Sequence, residues 1–134
     1  MELPRSSPSG PGEPERSCRV LVVDDDQDSA ELLGTVLGRA GFEARLTSNA
    51  HHALAEAENF GPQIALIDIG LPDMDGFRLT KLLRAQPKLK SCRFIAVTGH
   101  TSPSAVARSI AAGFEAHLSK PVDVADLLAI IGQR

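Results

Sequence analysis

Five residues could do chemistry together if the fold brings them to one place: Asp24, Asp25, Asp68, Thr98 and Lys120. Asp24-Asp25-Asp26 follows the apolar run Val20-Leu21-Val22-Val23, and Asp68 ends Ala65-Leu66-Ile67. Thr98 follows Phe94-Ile95-Ala96-Val97, and Lys120 follows the short stretch Ala116 to Ser119. Short apolar runs bounded by turn signals read as buried strands. Each polar residue therefore stands at the carboxyl end of a strand, where open α/β sheets bind ligands. Clustered carboxylates repel one another, and a hard divalent cation relieves that repulsion. Mg2+ takes oxygen ligands and keeps some of its water. A hydroxyl and an ammonium nearby suit an anion, and acids for a metal beside groups for an anion are the tools of phosphoryl transfer. Each residue alone has a plainer role: Asp68 as a cap for loop N–H groups, Thr98 as a strand residue, Lys120 as a surface lysine. The coincidence at four strand ends carries the chemical reading.

The elements that must position these residues follow in order. After the first acidic strand end, Asp28 reads as a helix cap with Glu31 completing a capping box. Leu33, Val36, Leu37 and Ala40 follow at helical spacing, and Gly41 stops the helix. Residues 42–47 alternate weakly and read as a strand nearer an edge. Ala50, Ala53, Leu54 and Ala57 make a second amphipathic helix, broken at Gly61-Pro62. His51 and His52 lie off its stripe, and adjacent helix positions do not face one metal. Leu79, Leu82 and Leu83 mark a third helix after Gly76, ended by Pro87. Ser102-Pro103 opens a fourth with a cap and a first-turn proline. Its inner stripe reads as Ala107, Ile110, Ala111 and Phe114. Asp123 caps the last helix, with Val124, Leu127, Leu128 and Ile131 facing in.

Five strands alternating with five helices imply a parallel sheet covered on both faces. The expected fold is a flavodoxin-like (βα)5 doubly wound sheet of strand order 2-1-3-4-5. Its switch point lies between strands 1 and 3, the two strands that end in acid. In that order strands 1 and 4 stand about 10 Å apart, so a Cys18–Cys92 disulfide is not expected.

Composition bounds the function. A chain of 134 residues makes one domain, and its net charge of −3 gives no support to direct nucleic-acid binding. No run approaches a membrane span of about 20 apolar residues. The amino terminus lacks the apolar core of a secretory signal, which points to the cytoplasm, and Cys18 and Cys92, with no CxxC pair and no metal-ligand spacing, are consistent with that. Residues 1–17 are rich in Pro, Gly and Ser and read as a disordered tail, leaving 18–134 as the folded domain.

At Asp24-Asp25, Asp68, the turn Leu71-Pro72-Asp73-Met74-Asp75-Gly76, Thr98-Gly99 and Lys120-Pro121, the chain closely resembles receiver domains of two-component response regulators. The resemblance runs from about Arg19 to the end. It implies that Asp68 is the phosphoacceptor. It implies that Asp25, Asp68 and the Gly70 carbonyl hold Mg2+ directly and that Asp24 does so through water. Thr98 and Lys120 would contact phosphoryl oxygens, and the bond before Pro121 would be cis. The donor would be a phosphohistidine on a histidine kinase or a histidine phosphotransfer protein. That partner would dock beside the first helix and the site loops. Neither nucleic acid nor membrane is an expected partner.

One departure matters. Three residues before Lys120 many receivers carry a Tyr or Phe that turns inward on activation, and here the residue is His117. An imidazole fills such a space only as its neutral form without cost. The wording from Phe114 to Asp123 looks most like receivers attached to hybrid histidine kinases. Only the tail precedes the domain in this sequence, so a stand-alone receiver is the expectation, with an excised or relay receiver as the alternative. Two other classes compete. Asp24-Asp25-Asp26 also fits the nucleophile motif of haloacid-dehalogenase-like phosphatases, which leaves Asp68 and the Asp73 to Gly76 turn unexplained. A receiver that never takes phosphate would have no use for the intact acid, Thr and Lys set.

Overall fold

Strands and half-buried helices alternate along the computed structural model, which describes residues 18–99 and 102–132. The tail expected over residues 1–17 lies outside the described residues. The strands are β1 (Arg19–Val23), β2 (Glu43–Thr47), β3 (Ile64–Asp68), β4 (Arg93–Thr98) and β5 (Ala116–Ser119). The helices are α1 (Gln27–Arg39), α2 (Ala50–Phe60), α3 (Gly76–Arg84), α4 (Pro103–Ala111) and α5 (Val124–Ile131), with a 3-10 turn at Pro87–Leu89. All strand pairs are parallel, in the order β2-β1-β3-β4-β5. This is the flavodoxin-like doubly wound sheet expected from the alternation.

Alternation along each strand sorts the core into two layers, because successive side chains point to opposite faces. Leu21, Val23, Ala65, Ile67, Phe94 and Ala96 pack with Ala53 and Ala57 of α2 and with Leu79 and Leu83 of α3. Val20, Val22, Ile64, Leu66, Ile95 and Val97 pack with Leu33 and Leu37 of α1 and with Leu127 and Ile131 of α5. Burying a Leu or Ile of this kind stabilises the fold by about 1.5–3 kcal/mol each before entropy is counted. Register then fixes the site end. Val23 of β1 lies beside Ile67 of β3, so Asp24 and Asp68 each follow immediately after a matched pair.

Local details differ from the sequence reading. Asp26, not Asp28, caps α1: its carboxylate accepts from the N–H groups of Asp28 and Ser29. In a run of acids any one can supply the cap oxygen, and the chain entry angle decides which. Leu82 is 38% exposed, so the α3 stripe is narrower than expected. In α4 the inner residue is Ser109, 1% exposed, whereas Ile110 is 68% exposed and Ala107 and Ala111 face solvent. Ser109 is tolerated inside because its hydroxyl donates to the Ala105 carbonyl at 2.9 Å. Val124 is likewise exposed, with Leu127 and Ile131 carrying the α5 contact. The Ser102 and Asp123 caps form as read, accepting from Ala105 and Asp126 N–H.

No disulfide joins Cys18 and Cys92, as the strand order leads one to expect. Burial pushes Cys92 up to about 12, against a lowering by Arg84, so it stays a protonated, unreactive thiol at neutral pH.

Candidate functional site

Asp24, Asp25 and Asp68 meet at the carboxyl ends of β1 and β3. One carboxylate oxygen from each lies within 4.8 Å of the others. Asp24 and Asp68 are buried and Asp25 is exposed, so the cluster opens to solvent on one side. Lys120 closes the other side. Its Nζ donates to Asp24 Oδ1 at 3.1 Å and to Asp68 Oδ2 at 3.1 Å. Burial would lower the Lys120 pKa, but its hydrogen bonds to Asp24 and Asp68, with their charges, raise it above the usual value. The ammonium is therefore charged at neutral pH and below.

Backbone contacts hold these groups in place. The Lys120 N–H donates to the Thr98 carbonyl at 2.9 Å, carrying the β4–β5 ladder one residue past Ser119. Thr98 itself is buried at the end of β4. Asp24 N–H donates to the Thr47 carbonyl, and Asp24 Oδ1 also accepts from Asp26 N–H at 3.0 Å. Gly70 N–H donates to Asp68 Oδ1 at 2.9 Å, so Gly70 sits directly against the Asp68 carboxylate. The Lys120–Pro121 bond is cis.

The donor set suits a hard divalent cation. Three carboxylates face one ammonium, which leaves two negative charges uncompensated. Asp24 Oδ2 is buried and accepts no hydrogen bond, although the Lys120 nitrogen is 3.0 Å away. Oxygen ligands alone, part buried and part open to water, fit Mg2+ better than a soft metal.

His117 lies outside this cluster, on β5 opposite Ala96. Both of its ring nitrogens are buried with no hydrogen-bond partner. The ring is therefore already turned inward, whereas the sequence tied that orientation to activation.

Two connections were not visible in the sequence. Asp73, in the loop after β3, accepts from the N–H of Ala50 at 2.9 Å and of His51 at 3.1 Å, and its Oδ2 lies 2.6 Å from His51 Nδ1. These contacts, the Ala50 N–H foremost and against a smaller effect of burial, hold the Asp73 carboxyl at about 2 instead of 3.8. Asp75 caps α3 through Phe77 N–H and pairs with Arg108 of α4 at 3.4 Å. The Arg108 guanidinium stacks 4.3 Å over the Phe77 ring. The only sequence signal for either was the density of Asp in one turn.

The chain is similar to known proteins over nearly all of its described length. A family model described as the response regulator receiver domain matches residues 20–132. The polar-differentiation response regulator DivK of Brucella anthropi is 32% identical over 105 residues, covering 78% of this chain and 85% of DivK. The signal transduction histidine-protein kinase BarA of Escherichia coli is 31% identical over 104 residues, covering 78% of this chain and 11% of BarA. The chain thus spans most of one relative and about a tenth of the other. Among solved structures, a CheY-like receiver domain protein from Methanospirillum hungatei superposes with a TM-score of 0.79 at 34% identity, covering 87% of this chain and 91% of that one.

Proposed function

This chain belongs to the response regulator receiver family of two-component signalling, and from that premise we propose that Asp68 is its phosphoacceptor. The observation that carries the proposal is the Lys120 ammonium bridging Asp68 and Asp24 beside Asp25, with all three carboxylates within 4.8 Å.

Asp25, Asp68 and the Gly70 carbonyl would hold Mg2+ directly, and Asp24 would hold it through water. When bound, the ion offsets the charge that gathers on the phosphoryl oxygens. The remaining work falls to the protein's own groups. A carboxylate oxygen of Asp68 attacks phosphorus in line with the donor's phosphohistidine nitrogen. The O–P bond forms as the N–P bond breaks, and the bond pair returns to the imidazole. Lys120 moves from its bridge to a phosphoryl oxygen as a point charge. The Thr98 hydroxyl donates to another. The chain acts as a signalling domain whose catalysis is confined to its own phosphorylation and dephosphorylation.

The donor is a histidine kinase or histidine phosphotransfer protein of the cytoplasm. Among the described residues no helix is long and apolar enough to cross a membrane, in keeping with that location. A Mg2+ titration followed by backbone amide shifts tests the metal part. Saturable shifts at Asp25, Asp68 and Gly70 are expected. Shifts elsewhere with none at these three would contradict it.

A further inference from the structure

The loop between β3 and α3 carries Gly70, whose carbonyl is assigned above to the metal. Two constraints close its base. Gly76 N–H donates to the Ile69 carbonyl at 3.4 Å, and a Cβ on Gly76 would lie 2.5 Å from Ile69 Cα. Gly70 N–H is held by Asp68 Oδ1 at 2.9 Å, but a Cβ there would meet only that same oxygen, at 3.5 Å, so no packed side chain backs the residue on its carbonyl side. Glycine populates more backbone states than any other residue, and a carbonyl ligand on glycine needs an external anchor.

Asp73 is three residues beyond Gly70 and supplies that anchor. Its carboxylate takes two backbone N–H groups and one ring nitrogen from the first turn of α2. Asn49 is already the side-chain cap of that helix, accepting from His52 N–H at 2.8 Å. Asn49 thus caps His52 alone, and Asp73 takes the N–H groups of Ala50 and His51, so one carboxylate joins the start of α2 to the loop. Pro72 and the buried Leu71 fill the short path from Asp73 to Gly70.

We infer that Asp73 is a positioning residue for the phosphoacceptor site, fixing the Gly70 peptide by tying its loop to α2. The inference rests on the phosphoacceptor reading. Outer partners that orient metal ligands typically change metal affinity by about 10–100-fold when removed. Asp73 acts through the two intervening residues Leu71 and Pro72, which places it at the low end, about tenfold.

The test uses the full chain and three variants: Asp73→Ala, Asp73→Asn and His51→Ala. Hydrogen exchange at the Gly70 amide is measured on metal-free protein, and Mg2+ affinity by calorimetry. Asp73→Ala should speed Gly70 exchange and raise the Mg2+ dissociation constant about tenfold. Asp73→Asn keeps one carbonyl oxygen for the Ala50 N–H and should fall between wild type and Ala. His51→Ala keeps both backbone contacts and should stay near wild type. Faster exchange confined to Ala50 and His51, with Gly70 exchange and Mg2+ affinity unchanged, would make Asp73 only a helix contact and overturn the inference. If Asp73→Ala does not fold, the Asn variant decides by the same two readouts. Phosphoryl addition to wild type is read separately. Its absence would sink the phosphoacceptor reading while leaving the Gly70 comparison valid, and a wild type that binds no Mg2+ would sink both.

Discussion

Lys120 Nζ lies 3.1 Å from Asp68 Oδ2, a contact across 52 residues of sequence. The same nitrogen reaches Asp24, so one cation neutralises part of two buried acids. Lys120→Ala should therefore destabilise the metal-free protein by about 1–3 kcal/mol. This is less than a fully buried pair would lose, because the Lys120 side chain is 23% exposed and partly screened. Urea unfolding followed by circular dichroism checks this, since the chain has no Trp or Tyr for fluorescence. Phosphorylation should persist in Lys120→Ala without the wild-type amide shift changes on α4 and β5. Wild-type changes there would remove Lys120 from the coupling.

Asp25 is exposed and forms none of the contacts Asp24 makes with Lys120. Asp25→Ala removes a metal ligand and also a repulsive charge. Mg2+ affinity should fall while the metal-free protein keeps or gains thermal stability. Unchanged Mg2+ affinity with a lower melting temperature would reverse the assignment.

His117 buries two ring nitrogens without partners. An unmade hydrogen bond in a buried site costs about 1–3 kcal/mol, and an apolar replacement of similar shape avoids that cost. His117→Phe should stabilise the metal-free protein, by about 1 kcal/mol. A loss of stability in chemical denaturation would mean that the ring is hydrogen-bonded in solution.

Asp73 sets a pH dependence. Its carboxyl is depressed from 3.8 to about 2, first by the Ala50 N–H and then by His51. A group whose folded pKa is depressed binds protons more readily in the unfolded chain, so its contribution is complete above the unfolded value. It is lost as pH falls from 3.8 through about 2. The stability difference between wild type and Asp73→Asn should be constant near neutrality and shrink across that window. Urea midpoints at a series of pH values measure it, and a difference that grows on acidification would show the sign to be wrong.

Much of this was legible before the fold was known. Buried parallel strands are short apolar runs, and a polar residue that ends one is conspicuous, which is why Asp24, Asp68, Thr98 and Lys120 stood out. What stayed hidden depends on contacts between distant segments. Nothing near Asp73 announces His51, which is 22 residues away, because a surface carboxylate and a surface imidazole look like any solvated pair. The inner face of α4 departs from the periodicity for a different reason. Small apolar residues surround that helix, so periodicity alone could not tell the Ile110 side from the Ser109 side. The inward ring of His117 follows from packing around β5, which the local sequence does not encode.

Intact mass after incubation with Mg2+ and a small-molecule phosphodonor, for wild type, Asp68→Asn and Asp24→Asn, decides whether Asp68 is the phosphoacceptor. Wild type should gain one phosphoryl group, only with Mg2+ present, and Asp68→Asn should gain none. Labelling of Asp68→Asn equal to wild type, with loss in Asp24→Asn, would contradict the assignment of Asp68 and move the nucleophile to Asp24.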